Sequence, residues 1–423
     1  MLSVSGTAQL TENADGTGRS SIVNVGIDGA SSPLLEGDQL VLIDAGTLIT
    51  NEALNTIANG QGMQGVTIKY EFYIAAADNM LTATVRSAEA DEQAKALSEG
   101  FIGGLSLVNL GADLVAGQGL SNAVNAVQNT AGGAEAGYGS GSGFAGFGAL
   151  SGGSLRYNSG SHVDMNSVSL MTGLAMGWGG ADTTPKSIVS RLTLGAFFEY
   201  GNGNYDTHNS FSNSASVDGD GDAWYLGGGV LGRMDFANAG PGRFYTEASA
   251  RIGKMHNEYG SSDLQFNGVN AEYDSSSLYY GLHLGTGYIW NITEAASLDL
   301  YGKYFWTRQE GDSVTLSTGD PVTFKDADSS RLRFGGRFAY AVNEYVSPYI
   351  GAAYEHEFDG KARATSNGFA LDAPSLRGDT GIGEIGLTFK PSATIPLSFD
   401  LGVQGYTGIR EGVTGSLQLK FEF

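Results

Sequence analysis

The chain has 423 residues, a length that allows two or three domains. Its formal net charge of -22 disfavours a nucleic-acid partner, because nucleic-acid phosphates would be repelled. The absence of cysteine excludes a disulfide framework, and the lack of an apolar run of about 18 residues leads us to expect no transmembrane helix.

Residues 1–86 predict a soluble, β-rich region. Short β-branched or aromatic runs alternate with Gly, Asn and Asp turns at 20–27, 39–43, 66–74 and 81–85. Their spacing favours a few rungs of a β-solenoid. The chain does not begin with a basic segment followed by an apolar one, so we expect no signal peptide at residues 1–3. If the protein is exported, we expect that its natural N-terminus has been removed.

A helix is predicted from Ala88 to Ala116, with Ser87 as its N-cap and Gly117 as its stop. One apolar stripe recurs at helical spacing along it, and three glycines weaken its middle. A second short helix, Ser121–Gln128, is small and polar all round and would fit a narrow, wet channel. Gly, Ala and Ser residues at 130–148 then indicate a flexible linker.

From residue 144 onward, strands recur, each long enough to cross a bilayer at a tilt. We count twelve, at 144–156, 162–178, 187–201, 222–236, 242–258, 275–290, 296–309, 329–342, 345–358, 380–390, 396–407 and 412–423. Connections after the even-numbered strands are short, whereas those after strands three, five, seven and nine are long and polar. This alternation is typical of an outer-membrane barrel whose long loops are extracellular.

Side-chain parity separates an apolar face from a charged face on these strands. Turning a basic side chain toward lipid at the bilayer midplane costs roughly 2 to 4 kcal/mol, so we expect the charges to face the pore. The predicted pore-lining residues are Arg191, Arg233, Glu247, Arg251, Lys303, Arg331, Arg333, Arg337, Glu355 and Glu357. Trp178, Trp290 and Trp306 fall near strand ends and predict an aromatic girdle.

The last two strands form a hairpin that ends on a terminal aromatic residue. Leu417, Leu419, Phe421 and Phe423 alternate with polar residues, so one face of the final strand is apolar. A strand of this kind is typical of a membrane barrel rather than of a water-soluble sheet.

In order and spacing, residues 88–423 resemble the C-terminal translocator of autotransporters, the type V secretion family. The segments that carry the resemblance are the linker helix, 244–248, 285–290, 331–337, 347–351 and the closing 419–423. It implies an all-β fold, a 12-stranded antiparallel transmembrane barrel with an α-helical linker in its pore. The implied domains are a solenoid-like passenger end at 1–86, a linker at 87–143 and the barrel at 144–423.

The resemblance also implies a function: a translocator unit in the bacterial outer membrane that carries or displays its own passenger at the cell surface. Leu419, Phe421 and Phe423 would then be the signal read by the barrel-assembly machinery. The implied partners are outer-membrane lipid, that machinery, periplasmic chaperones and the passenger, around a monomeric barrel. Some members of the family cut their passenger between two Asn residues, but the helix has no Asn-Asn pair, so we do not expect cleavage of that type.

The motifs that could bind a nucleotide or a metal ion are better explained as ordinary linker, loop or strand residues. We therefore expect no cofactor and no metal. Residues 141–146 match GxGxxG without a preceding strand, which indicates linker glycines. Asp218–Asp222 resembles the start of a calcium loop but lacks the glycine at its sixth position, so we expect a solvated loop, with a weak surface calcium site as the alternative. The five histidines show no metal-binding spacing.

The charged pairs on the pore face favour a structural role over an enzymatic one. We expect lumen arginines to pair with four acidic residues, Glu355, Glu357, Asp235 and Glu247. No catalytic set of Ser, His and an acidic residue stands out at the rim of the barrel. We therefore predict that the chain is not an enzyme. Besides the translocator, two alternatives stay open: an outer-membrane porin or channel with an appended soluble domain, and an outer-membrane hydrolase.

Overall fold

The computed structural model describes residues 1–10, 24–50, 58–132, 143–179, 188–390 and 397–421. Strands dominate it. A sheet at the N-terminal end leads into a helix, the helix lies inside a closed barrel, and a small second sheet covers one mouth of that barrel.

The N-terminal sheet has six strands in the order β1-β3-β6-β5-β4-β2. The strands are β1 Leu2–Leu10, β2 Asn24–Ile27, β3 Gln39–Thr50, β4 Ala58–Gln64, β5 Ile68–Ala77 and β6 Met80–Ala90. β1 with β3 and β2 with β4 are parallel pairs, and the remaining pairs are antiparallel. Parallel pairing is what successive solenoid rungs would show, whereas the central β5–β6 hairpin is not a rung. Alternate side chains of β5 form the core of this sheet: Ile68, Tyr70, Phe72 and Ile74 point to one face and are fully buried.

The helix begins later and runs further than predicted. β6 continues to Ala90, so Ser87 is a strand residue, and the side chain of Asp91 instead accepts the backbone N–H of Gln93 at the start of a short 3-10 turn. Burial raises the pKa of the Asp91 carboxyl. The helix then consists of α1 Lys95–Leu114, a π-helical turn Val115–Gly119 and α2 Leu120–Gly132. Gly117 is therefore not a stop, and we call Lys95–Gly132 the lumen helix.

The barrel contains the twelve predicted antiparallel strands. They are β7 Gly143–Asn158, β8 His162–Gly179, β9 Val189–Asn209, β10 Val217–Phe236, β11 Gly242–Phe266, β12 Val269–Asn291, β13 Ala296–Gln309, β16 Ala327–Tyr340, β17 Val346–Glu357, β20 Gly378–Phe389, β21 Leu397–Gly408 and β22 Arg410–Phe421. The barrel closes where β22 pairs with β7, with Leu417 opposite Leu150. Closure leaves no unpaired sheet edge, the condition for a sheet that faces lipid.

Two of the four predicted long loops are strands. Residues 202–209 and 217–221 extend β9 and β10, which leaves a connection at 210–216. Residues 259–274 extend β11 and β12 to a two-residue turn at Asn267 and Gly268, both with positive φ. The alternation of inward and outward side chains continues here, although the outward residues are polar. Polarity alone therefore does not indicate a loop, because these strands continue beyond the apolar band.

The other two long connections build a second sheet over the barrel. The connection after β13 contains β14 Ser313–Thr315 and β15 Pro321–Phe324, and the connection after β17 contains β18 Ala364–Ser366 and β19 Phe369–Ala370. These strands pair in the order β14-β15-β18-β19, and we call this unit the mouth sheet. The barrel end that carries it is the upper mouth, and the end at which β7 begins is the lower mouth.

The outward face of the barrel is apolar in its middle, as parity predicted. Val168, Leu194, Leu284, Phe334 and Ile385 each keep between 47% and 62% of their surface exposed. A continuous exposed apolar band of this kind is unusual for a water-soluble protein and is expected where the surrounding medium is lipid.

Leu284→Arg tests the position of this band. The side chain is 61% exposed near the middle of β12, so we expect the free energy of unfolding from phospholipid vesicles to fall by about 2 to 4 kcal/mol. Val269→Arg is the matched control, because Val269 lies at the tip of the same strand, and there the cost should be about 0 to 1 kcal/mol. Equal costs at the two positions would contradict the placement of the bilayer.

Candidate functional site in the barrel lumen

The first half of the lumen helix is buried on all sides. Every residue from Ala96 to Ala112 is buried, because barrel strands surround the helix. The helical segment Glu92–Val127 is long and apolar enough, by length and composition, to cross a membrane, so the premise that the chain lacks such an apolar stretch was wrong. Here the apolar side chains face protein: Leu97, Phe101 and Leu105 join lumen tyrosines in one core cluster.

Glycines let the helix approach the wall of the barrel. A Cβ at Gly100 would lie 2.6 Å from the ring of Tyr259, one at Gly103 would lie 2.8 Å from Tyr205, and one at Gly111 would lie 2.3 Å from the hydroxyl of Tyr225. Each distance is too short for an alanine. Gly100 and Gly103, which weaken the helix in isolation, therefore provide the space in which lumen aromatic rings pack.

Asp113 is the centre of the main ionic contact between helix and barrel. Its Oδ1 lies 2.9 Å from Arg331 Nη1 and 2.8 Å from Arg333 Nη2, and its Oδ2 lies 2.7 Å from Arg410 Nη1. Glu355 completes the group, since its carboxylate lies 2.6 Å from Arg333 and 3.1 Å from Arg410. We call these five residues the Asp113 cluster.

The predicted pairing of Glu355 with lumen arginines is thus found, but two members of the cluster were missed. Arg410 lies in what was interpreted as a turn and in fact starts β22. Asp113 was overlooked on the helix, although Glu99 and Asp113 are the only acidic residues between Lys95 and Gly132. A carboxylate inside an otherwise apolar helix needs a cationic partner, and that requirement was a usable signal.

Other lumen cations bind the backbone of the helix. Arg251 donates to the carbonyl of Val108 at 3.0 Å, and Lys303 donates to the carbonyl of Ala116 at 2.6 Å, inside the π-helical turn. Lys303 also lies 2.8 Å from Glu247, and Arg251 lies 3.2 Å from Glu199. The charges of the pore wall therefore hold the helix as well as one another.

The remaining predicted lumen residues lie outside the Asp113 cluster. Arg233 pairs with Asp235 at 3.0 Å, and Arg337 pairs with Glu384. Glu357 accepts the backbone N–H of Ser330 at 2.7 Å, rather than an arginine. Arg191 lies half-buried opposite Asp235 in the strand register, near the lower mouth.

The lower half of the lumen holds α2. Leu120, Val124 and Val127 pack on Phe147 and neighbouring apolar residues of the wall, so α2 is not polar all round, as was predicted. The side chain of Asn122 donates to the carbonyls of Gly148 and Leu419, at 2.6 and 3.0 Å. On the other side of the helix, a polar cavity of about 50 Å³ lies between Gln118 and the wall.

The predicted girdle residues lie on the outward face. Trp178 and Trp290 are 41% and 43% exposed near the lower mouth, and Trp306 lies near the opposite end of β13. Leu419 is exposed on the same face. The side chain of Phe421 and all of Phe423 lie outside the described residues.

The two motifs that resemble a calcium loop and a nucleotide-binding loop lie on barrel strands. Asp218–Asp222 lies on β10 and not in a loop, and the carboxylate of Asp218 lies 2.5 Å from His208. Residues 143–146 of the GxGxxG match belong to β7, and 141–142 lie outside the described residues. Within the described ranges, no three His, Asp or Glu side chains are arranged to hold a metal ion.

Comparisons with known proteins identify the fold. Residues 171–402 match the family described as autotransporter beta-domain. The translocator domain of the autotransporter NalP from Neisseria meningitidis aligns with 75% of this chain and 97% of its own, at 12% identity and a TM-score of 0.50. No curated protein matches the chain.

Two further solved structures are similar at lower TM-scores. The transport unit of the autotransporter AIDA-I from Escherichia coli covers 72% of this chain and 98% of its own, with 16% identity and a TM-score of 0.46. The beta domain of the Bordetella autotransporter BrkA covers 66% and 99%, with 14% identity and a TM-score of 0.48. At such identities the likeness concerns the fold alone.

A matched pair of glycine variants tests the contact between helix and wall. Gly111→Ala places a methyl group against Tyr225 and should destabilise the protein by about 1 to 3 kcal/mol, although alanine favours helices. At Gly117 nothing lies within 4 Å of an added Cβ, so Gly117→Ala should stabilise by about 0.5 to 1 kcal/mol. Denaturant unfolding of both variants gives the comparison, and effects of the same sign would be evidence against the packing.

Asp113→Asn tests the ionic contact. The change leaves three buried arginines with one carboxylate, so we expect a loss of about 3 to 5 kcal/mol in the free energy of unfolding. Asp164→Asn is the control, since Asp164 pairs with Arg156 at 2.6 Å on the exposed surface and should contribute at most about 1 kcal/mol. A loss at Asp113 no larger than that at Asp164 would contradict the proposed anchoring.

Proposed function

The chain belongs to the autotransporter family, and from this premise we propose that residues 1–86 are the membrane-proximal end of its passenger, continuing through β6 to Ala90. The barrel is the translocator domain in the bacterial outer membrane, and the chain carries its own passenger. In this proposal, the predicted linker, 87–143, shortens to the residues between Ala90 and Gly143, and the predicted barrel, 144–423, begins with β7 at Gly143. The upper mouth is extracellular and the lower mouth is periplasmic.

The observation that carries the proposal is the path of the chain through the barrel. At the upper mouth, Val66 of the N-terminal region is buried in one core cluster with Ala94 and Leu97 of the helix start. At the lower mouth, Asn122 of α2 contacts Gly148 on β7, where the barrel begins. A polypeptide threaded through the lumen in this direction is what a transporter would retain after it has moved its own N-terminal region outward.

The Asp113 cluster supports a stable end state for that transport. Asp113 lies near the middle of the lumen helix and meets arginines from β16 and β22, which come from different parts of the barrel wall. Sliding the helix by one turn, about 5.4 Å, would separate these charges inside a low-dielectric lumen. The cluster therefore defines one position of the helix and keeps the pore closed.

Partners other than the passenger are also proposed. Leu419, Phe421 and Phe423 would present the apolar face of the last strand to the barrel-assembly machinery, with periplasmic chaperones acting before insertion. Closure of the twelve strands into a single barrel supports a monomer. The prediction that the chain is not an enzyme stays a prediction.

An outer-membrane porin or channel with an appended domain is the alternative, and it has less support. An open channel would gain nothing from a helix that is buried on all sides and held by Arg251, Lys303 and the Asp113 cluster. A translocator with a plugged lumen should conduct ions weakly, whereas an open channel should conduct them strongly.

Single-channel conductance in a planar bilayer distinguishes them. The full chain should conduct weakly, and a variant without Ala88–Gln128 should conduct strongly, because the deletion removes most of the lumen helix. A variant without residues 1–86 is the control and should conduct as weakly as the full chain. Large, equal conductance in all three would mean an open channel and would overturn the translocator proposal.

A further inference from the structure

A serine, a histidine and an aspartate meet on the outward face of the barrel at its upper mouth. His208 lies near the end of β9, with its Nδ1 2.5 Å from the carboxylate of Asp218 on β10 and its Nε2 3.1 Å from the hydroxyl of Ser210. Sequence patterns did not indicate this set, because only the pairing of β9 with β10 places Asp218 opposite His208. The set removes one premise of the prediction that the chain is not an enzyme.

The order of these hydrogen bonds suits nucleophilic catalysis. In the tautomer in which Nδ1 of His208 carries the proton, Asp218 accepts that N–H, and Nε2 keeps a lone pair that can accept the hydroxyl of Ser210. A hydroxyl held in this way can transfer its proton to the ring as it attacks a carbonyl carbon. Nucleophile, base and orienting acid are recognised by this geometry and not by their order in the chain.

Neighbouring strands hold the acid and the ring in place. The backbone N–H of Asp218 donates to the carboxylate of Asp263 at 2.8 Å, and its carbonyl accepts the hydroxyl of Ser261 at 2.6 Å, both on β11. The ring of His162 on β8 stacks on that of His208, with centroids 5.1 Å apart. Asp218 and the ring of His208 are therefore supported from the strands on either side of the β9–β10 pair.

An acidic cavity of about 340 Å³ lies beside His208. Asp164, Asp206 and Asp220 line it and lie directly opposite one another on β8, β9 and β10. Arg156 pairs with Asp164 at 2.6 Å, so the row keeps a net negative charge, which repels anions and attracts a cation. Asp206 precedes His208 by two residues of the same strand, a rise of about 6.6 Å. A small substrate with a positive charge at about that distance from its ester group fits this arrangement.

A second set with similar hydrogen bonds offers an internal control. His256 on β11 lies 2.9 Å from the hydroxyl of Ser276 and 3.1 Å from the carboxylate of Glu258. Its ring packs on that of Trp224, with centroids 5.5 Å apart. The acidic cavity lies at His208 and not at His256, so we assign a reaction to the first set alone.

We propose that Ser210 and His208 hydrolyse small esters that carry a positive charge, with Asp218 as the residue that positions the ring. The Oγ of Ser210 attacks the acyl carbon as its proton passes to Nε2 of His208, and the leaving alcohol takes up that proton when its C–O bond breaks. Water then attacks the acyl-serine and gives a proton to Nε2. The acyl–Oγ bond breaks, Oγ takes back that proton, and the acid is released, so that ester and water give acid and alcohol.

The experiment uses the full chain folded in phospholipid vesicles and two substrates of the same shape. Acetylthiocholine carries a quaternary ammonium group, and S-(3,3-dimethylbutyl) thioacetate has an uncharged tert-butyl group in its place. Cleavage of either substrate at the acyl carbon releases a thiol, which a chromogenic reagent detects without background from the protein, since the chain has no cysteine. The variants are Ser210→Ala, Asp218→Asn, Asp206→Asn and, as the matched control, Ser276→Ala, and gel mobility without heating confirms that each barrel is folded.

The rates should separate the roles of these residues. The unchanged chain should cleave acetylthiocholine at least about tenfold faster than Ser210→Ala, and Ser276→Ala should match the unchanged chain. Asp218→Asn should lower kcat about tenfold or more and leave KM unchanged, because Asp218 acts on the histidine and not on the substrate. Asp206→Asn should raise KM for acetylthiocholine and leave the rate on the uncharged substrate unchanged, because it removes one charge from the acidic row.

Covalent labelling identifies the nucleophile directly. A fluorophosphonate probe should modify Ser210, as found by peptide mass spectrometry, and His208→Ala should abolish the labelling. Cleavage by Ser210→Ala as fast as by the unchanged chain would overturn the proposal, and so would a rate no higher than that of vesicles alone. Equal rates on the two substrates would overturn the assignment of a cationic ester. The position of this site outside the cell rests on the proposed function, whereas none of these measurements depends on transport.

Discussion

The arrangement of the whole molecule depends on one nearly buried carboxylate that must pair with cations. Asp113 lies on a helix whose other residues are mostly apolar or small, and a single charge buried without a partner costs several kcal/mol. Arg331, Arg333 and Arg410 supply the cations from two places on the barrel wall, and Glu355 balances part of their charge. The lumen of the barrel thus buries this helix with its charge paired.

Shape reinforces the ionic contact. Lumen tyrosines extend toward the helix, and glycines stand on the helix where their rings arrive, as at Gly103 beside Tyr205. Ionic and steric contacts therefore select the same register of the helix. The lower end is fixed independently by Asn122 and by the apolar contacts of α2. A closed pore with a threaded chain follows from these local contacts, and the transport function is consistent with each of them.

Sequence patterns predicted the barrel well because lipid imposes a strict rule. Outward residues must be apolar over the bilayer, so parity along the strands indicated twelve strands and their inward faces. Above the bilayer the rule no longer applies, and the polar extensions of β9 to β12 were therefore interpreted as loops. The mouth sheet was missed for a related reason, since β14, β15, β18 and β19 have two to four residues each and show little periodicity.

The lumen was predicted less well because its contacts are non-local. The inward charges were identified, and so was the pairing of Glu355 with arginines. The partner on the helix was not, since nothing near Asp113 in the sequence indicates that Arg410 lies 2.7 Å away. The helix limits were also wrong: the stretch Gly117–Gly119 would end a helix in water, whereas in the lumen the π-helical turn there places the Ala116 carbonyl beside Lys303.

A disulfide between helix and wall tests most directly whether the helix occupies the pore in the outer membrane. A Cβ at Gly177 on β8 would lie 3.3 Å from the Cβ of Val127 on α2, close to the spacing of a disulfide, and the chain has no cysteine to interfere. We expect Val127→Cys with Gly177→Cys to form this bond in intact cells, as found by peptide mapping of unreduced protein. Free thiols at both positions in a folded barrel would contradict the account, because α2 would then not lie against the wall of the lumen.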